Sequence, residues 1–248
     1  MALQEEFEAQ GNWLFKYRSY IPIVLLLTGL ALILSNQTTD FSSSVRGNTA
    51  VLAYIYYCIG LIGLLIRAYT IGYTPRNTSG RNTTAGQVAD QLNTTGIYST
   101  VRHPLYLGNF ITWLAIAFLT GNFWYVLLFV LMYWLYYERI MFAEEQFLRR
   151  KFGKDYLNWA EKVPAFIPNI RHFKKSPLRF SIKKVLRKEK NGVFAYMLVF
   201  AVFSGLKQMI NQQPTDVVFV ILAILSGAAY VLLKILKYKT SLLLETDR

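Results

Sequence analysis

The chain has 248 residues, of which 54% are hydrophobic, 16% aromatic and only 17% charged, and its formal net charge is +13. With a positive mean hydropathy, this composition argues against an ordinary soluble domain and for a membrane protein. The basic residues alternate with long apolar runs rather than covering a soluble fold, so the charge is not read as a nucleic-acid surface, and the single cysteine, Cys58, leaves neither a disulfide framework nor a thiolate metal cluster.

The first ten residues are acidic and amphipathic, without the basic start and small-residue cleavage site of a signal peptide, and none is expected. A first apolar span covers residues 20–34, marginal in length against the roughly 20 residues a bilayer core needs. After a polar loop, 35–48, a second span covers 50–71. It contains Cys58, expected to be a small buried hydrophobe, and ends near Arg67, expected to snorkel to the membrane interface. Residues 72–95 form a polar connection rich in Gly, Asn and Thr, far too long for a tight turn. Because it runs straight into a histidine-bearing stretch, it is expected to fold over a site. Asn77, Asn82 and Asn93 fit the N-glycosylation pattern, but the topology derived below places them on the cytoplasmic side, without glycans.

That stretch reads Arg102-His103-Pro104-Leu105-Tyr106-Leu107-Gly108 and contains one of only two histidines. Pro104 suits the first position of a helix, where its missing N–H costs nothing. Arg102 and His103 then stand at a helix N-terminus, which favours an anionic group. Helical spacing places Tyr106, Leu107 and Phe110 on one face from His103, so an imidazole and a phenol address the same ligand. The same residues would also serve as an interfacial cap, with Arg102 on lipid phosphate and Tyr106 in an aromatic belt.

Two apolar runs, 105–119 and 123–142, follow around Thr120-Gly121-Asn122. At 1.5 Å per residue the first reaches only about 22 Å, short of a hydrocarbon core of about 30 Å. Glu138, Met141 and Glu145 fall at i, i+3 and i+7. Both carboxylates thus share a helical face, with Glu138 at the membrane edge, where an ionisable group is a functional candidate unless paired with Arg139. Residues 144–190 are strongly basic. Phe147, Leu148, Lys151, Phe152 and Tyr156 follow helical spacing and predict an interfacial amphipathic helix. His172, among lysines and arginines, is read as solvated. Spans at 192–210 and 217–236 close the chain.

The 102–108 stretch resembles the R-H-P-x-Y-x-G signature of the integral-membrane methyltransferases, the superfamily of isoprenylcysteine carboxyl methyltransferase and the phospholipid N-methyltransferases. A second part follows one hairpin later: Glu144-Glu145-Gln146-Phe147-Leu148, then Phe152-Gly153, Tyr156, Trp159, and Val163-Pro164-Ala165-Phe166-Ile167-Pro168. The resemblance spans about residues 90–168 and implies S-adenosylmethionine as methyl donor, with a lipophilic or membrane-embedded acceptor bearing a carboxylate or an amine. The donor-binding residues it implies are Tyr98, Arg102, His103, Tyr106, Gly108, Glu144 and Glu145, and the catalytic candidates are Arg102, His103 and Glu138. The chemistry suits them. Tyr98 or Tyr106 offers an electron-rich face to a sulfonium, Arg102, His103 and the helix N-terminus suit a carboxylate, and Glu144 or Glu145 suits ribose hydroxyls. No metal-ligand cluster is present in the sequence.

The expected fold is all-α, with about six transmembrane helices. With the N-terminus cytoplasmic, only Arg46 and Lys207 fall at external ends, so the positive-inside pattern places both termini and the site in the cytoplasm. Four units are expected: 1–73, a two-helix membrane segment; 74–168, the catalytic loop, hairpin and cofactor motifs; 169–191, a basic linker; and 192–248, a C-terminal two-helix segment. A sterol-reductase-like enzyme using NADPH, or a non-catalytic scaffold, are the alternatives. Pro104 and the adjacent Glu144-Glu145 pair favour the methyltransferase.

Overall fold

The computed structural model describes residues 2–18, 20–35, 49–75, 78, 81–83 and 86–244. Arg46, Asn77 and most of the polar 35–48 loop lie outside the described residues. Among these the fold is helical: α1 (Leu3–Lys16), α2 (Tyr20–Leu34), α3 (Thr49–Gly72), α4 (Pro104–Leu119), α5 (Phe123–Ala160), α6 (Ile182–Ile210) and α7 (Val217–Lys239). The only strand pair among them is a small antiparallel hairpin, β1 (Arg81–Thr83) and β2 (Gly86–Val88), with Asn82 opposite Gln87.

Local chemistry sets the helix ends. Asn122 caps α5 by accepting from the Tyr125 N–H, Ser181 caps α6 through Lys184, and Asp216 caps α7 through Val218. Glu5 and Glu6 lie in the first turn of α1 and Lys16 in its last, each favourable to the helix dipole.

Helices α3, α5, α6 and α7 are long and apolar enough to cross a membrane, whereas the apolar stretch of α2 and the whole of α4 are shorter. Apolar side chains such as Leu65, Trp124, Ile224 and Leu225 point outward, as lipid-facing residues do.

Two buried clusters hold the bundle. One centres on α5, where Phe129, Tyr133, Tyr136, Tyr137 and Ile140 pack against Phe15 of α1 and Leu25 of α2. The other joins Leu64 of α3 and Ile116 of α4 to Tyr196, Phe200 and Phe203 of α6 and Phe219 of α7. The α3–α4 crossing is close because both sides are glycine. A Cβ on Gly108 would stand 2.6 Å from Arg67 Cγ and 2.8 Å from the Gly63 carbonyl oxygen. Small residues of this kind let membrane helices approach backbone to backbone.

Several expectations change. Residues 144–152 run on directly from the apolar part of α5, and a kink at Gly153, whose φ of 52° and ψ of −122° suit glycine, sets 154–160 off from them. Phe147, Leu148 and Tyr156 of this stretch line a cavity. The fifth apolar helix starts at Ile182, ten residues before its expected start, because the Ser181 cap nucleates it inside the basic stretch. Cys58 is exposed, not buried; the inward positions of α3 are taken by Ala53, Gly60 and Leu64. Arg67 does not snorkel outward but turns into the bundle, paired with Glu189.

Candidate functional site

Helix α4 starts at Pro104, and its N-terminal turn is fixed from outside. The Arg102 N–H donates to the Pro164 carbonyl (2.9 Å), the His103 N–H to the Ala165 carbonyl (3.1 Å) and the Asn169 N–H to the Thr100 carbonyl (2.9 Å). Pro164 and Pro168 favour an extended path, so the segment after α5 lies alongside residues 100–103 rather than continuing as helix. The Gly96 N–H donates to the Lys174 carbonyl (2.7 Å), and Trp159 Nε1–H to the Tyr98 carbonyl (3.1 Å). Both parts of the sequence signature are thereby brought together.

Their side chains meet across this seam. His103 is 6% exposed, with Nε2 2.9 Å from Glu145 Oε1 and Nδ1 3.7 Å from Glu144 Oε2. Arg102 Nε stands 3.1 Å from the same Glu145 oxygen, and Arg102 Nη1–H donates to the Ala160 carbonyl at 3.1 Å. Tyr106 stacks on His103, with ring centroids 5.7 Å apart, and donates its hydroxyl proton to Glu144 at 3.0 Å. Tyr133 in turn donates to the Tyr106 carbonyl at 2.7 Å.

These groups line a cavity of about 220 Å³. One wall is Tyr98, Arg102, His103, Leu105 and Tyr106; the facing wall is Tyr137, Glu144, Glu145, Phe147, Tyr156 and Trp159. Thr78, Gln87, Val88, Gln91, Leu92 and Asn93 cover it, so the described part of the 72–95 connection does fold over the site. Asn93 itself donates to the Thr78 carbonyl at 3.4 Å. One buried polar atom among the lining residues, Gln87 Oε1, makes no hydrogen bond, while Arg102 Nε is engaged by Glu145. Buried polar atoms are normally satisfied, so this oxygen at the cavity suits a hydrogen-bond donor on a ligand.

Of the residues foreseen from the sequence, Tyr98, Arg102, His103, Tyr106, Glu144 and Glu145 all line this cavity. Gly108 does not; it serves the α3–α4 contact. Glu138 lies outside the lining, its side chain 46% exposed and paired with Arg139 at 3.2 Å. His172 is exposed, its Nδ1 3.0 Å from the Lys162 carbonyl. The sequence reading missed Arg18, Arg67, Asn109, Tyr137, Tyr156 and Trp159 as cavity residues. Arg67 carried a usable signal, since an ionisable residue inside an apolar span is a candidate site residue.

Fold and cavity together define a helical membrane protein with an aromatic site lined by charges of both signs. A family model for phospholipid methyltransferases matches residues 49–155. Protein-S-isoprenylcysteine O-methyltransferase of Schizosaccharomyces pombe is 44% identical over 79 residues, 32% of this chain and 34% of that protein. Protein-S-isoprenylcysteine O-methyltransferase B of Arabidopsis thaliana is 33% identical over 78 residues, 32% of this chain and 40% of its own. The nickel-cobalt-cadmium resistance protein NccN of Alcaligenes xylosoxydans xylosoxydans is 28% identical over 116 residues, 47% and 51% of the two chains. The matched stretches thus span from a third to about half of these relatives. No solved structure matches the chain. Over its central stretch the chain is thus similar to the membrane methyltransferase superfamily that contains the phospholipid and isoprenylcysteine methyltransferases.

Proposed function

We propose that this protein transfers a methyl group from S-adenosylmethionine to a lipophilic, membrane-embedded acceptor carrying a carboxylate or an amine. The observation that carries this reading is the convergence of Arg102 and His103, at the start of α4, with Glu144 and Glu145 of α5 on one cavity. S-adenosylmethionine supplies a methyl group activated by a sulfonium cation. The lining fits such a ligand: aromatic faces for a cation, carboxylates with spare lone pairs for sugar hydroxyls, and a guanidinium beside a helix N-terminus for a carboxylate.

The protein's part is orientation and exclusion of water rather than covalent catalysis. Tyr106 and His103 hold Glu144, while His103 and Arg102 hold Glu145, so both carboxylates are fixed before a ligand arrives. Gln87, Val88, Ala89 and Gln91 to Asn93 line the cavity from the segment before α4. An amine acceptor must lose a proton, and His103 is placed in the cavity to take it, whereas Glu138 stands away on the helix exterior. A carboxylate acceptor needs no base and would lie near Arg102.

In this reading α2, α3, α4, the apolar part of α5, α6 and α7 make six crossings, with both termini and the cavity cytoplasmic. The contact between Lys207 Nζ and the Leu119 carbonyl (2.9 Å) supports placing Lys207 and the α4–α5 turn at the end away from the cavity.

Titration of S-adenosylmethionine, its demethylated product and NADPH into detergent-solubilised protein tests the donor. Saturable binding of the first two and none of NADPH is expected; a response to NADPH alone favours the reductase. Transfer of labelled methyl into the lipid fraction of membranes then identifies the acceptor.

A further inference from the structure

Arg67 is a cavity residue held from behind by a helix outside the matched family region. Its Nε–H and an Nη2–H donate to the two carboxylate oxygens of Glu189 on α6, at 2.7 and 2.6 Å, and Nη1–H donates to Asn109 Oδ1 at 2.6 Å. The Glu189 side chain is 5% exposed and that of Arg67 20%. Such a two-pronged fork fixes both the charge and the plane of a guanidinium. Glu189 lies beyond residue 155, where the family match ends.

Charge explains why the cavity needs it. The lining contains three guanidiniums, Arg18, Arg67 and Arg102, against two carboxylates, Glu144 and Glu145. Glu189 adds the third carboxylate, directly on Arg67. The methyl donor is cationic at sulfur and its demethylated product is neutral there, so an uncompensated guanidinium repels the donor and spares the product.

We infer that Glu189 is a positioning residue that neutralises and orients Arg67, so that α6 completes the donor site and sets its preference between methyl donor and demethylated product. This rests on the donor reading above. It also gives the C-terminal helix pair a role in the site.

Calorimetric titration of S-adenosylmethionine and S-adenosylhomocysteine into the full chain in detergent tests it, using wild type, Glu189→Gln and the double variant Arg67→Gln/Glu189→Gln. Glu189→Gln should weaken the donor about tenfold more than the product, the effect of one unit charge across roughly 10 Å at an effective dielectric of about 20. The double variant should return the ratio of the two affinities to that of wild type. A purely structural Glu189 would weaken both ligands equally, which overturns the inference. If Glu189→Gln does not fold, Arg67→Gln alone decides: it leaves the Glu189 charge uncompensated and should shift the ratio toward the cationic donor, and an unmoved ratio overturns the inference. Wild type that binds neither ligand overturns the donor reading and this inference with it. Wild type that binds both, with a ratio unmoved by Glu189→Gln, overturns this inference alone.

Discussion

Glu145 and His103, 42 residues apart in the chain, meet with Oε1 2.9 Å from Nε2, and this contact ties α5 to the first residue before α4. Arg102 reaches the same carboxylate oxygen, so Glu145 is the point where the two signature segments close on each other.

Glu145→Gln keeps the shape of the side chain and removes its charge. A donor hydroxyl then meets a weaker acceptor in a partly dry site, at about 1–3 kcal/mol, or roughly tenfold to a hundredfold in affinity. Calorimetric titration of S-adenosylmethionine should show that loss, while circular dichroism in detergent keeps its helical signal. Unchanged affinity would mean that the ribose contact is elsewhere.

Arg102→Ala should cost more than Glu145→Gln, because it removes a charge and also the hydrogen bond to the Ala160 carbonyl that braces the end of α5. Lys183, exposed on the first turn of α6, offers the contrast. Lys183→Ala should leave donor binding and methyl transfer within about twofold, as expected for a solvated or lipid-facing charge. Equal losses in the two variants would show that overall charge, not the placement of Arg102, governs binding.

The contrast between these residues tracks what a sequence can reveal. Arg102, His103 and Pro104 are legible because a helix start, a rare histidine and a long apolar run coincide within a few residues. Glu144 and Glu145 are legible through the resemblance, and the apolar lengths locate the helices. The Arg67–Glu189 pair is not, since the partners lie 122 residues apart and meet only through the packing of α3 against α6. Glu189 is the single carboxylate between residues 169 and 191, a local anomaly whose partner only the fold supplies. Glu138 shows the converse. Its phase matches that of Glu145, yet the next residue, Arg139, takes the carboxylate and leaves it off the cavity.

The glycine contact between α3 and α4 predicts a stability effect that propagates to the site. A methyl group at position 108 would press on both Arg67 and the Gly63 backbone, so α4 must shift away from α3. Overpacking of this kind costs about 1–3 kcal/mol. Gly108→Ala should therefore lower the thermal midpoint in detergent by about 2–12 °C, taking about 2–4 °C per kcal/mol for a chain of this size. Donor affinity should fall as well, because Arg67 and His103 flank the displaced segment. A variant as stable as wild type would show that the helices separate freely at this point.

Topology can be tested with the chain's own thiol removed. Cys58 is exposed on α3, so Cys58→Ser supplies a background without a reactive cysteine. Phe180→Cys probes the segment before α6, on the cavity side, and Thr215→Cys probes the connection between α6 and α7. Both positions are exposed. Since α6 separates them and is long enough to cross a bilayer, a membrane-impermeant maleimide should reach them from opposite faces in sealed vesicles. With the cavity cytoplasmic, Thr215→Cys is labelled from outside and Phe180→Cys only after the membrane is opened. The reverse pattern would invert the molecule and place the cavity outside, away from cytosolic S-adenosylmethionine. Labelling of both from the same side would mean that α6 does not cross, and the count of six would fall.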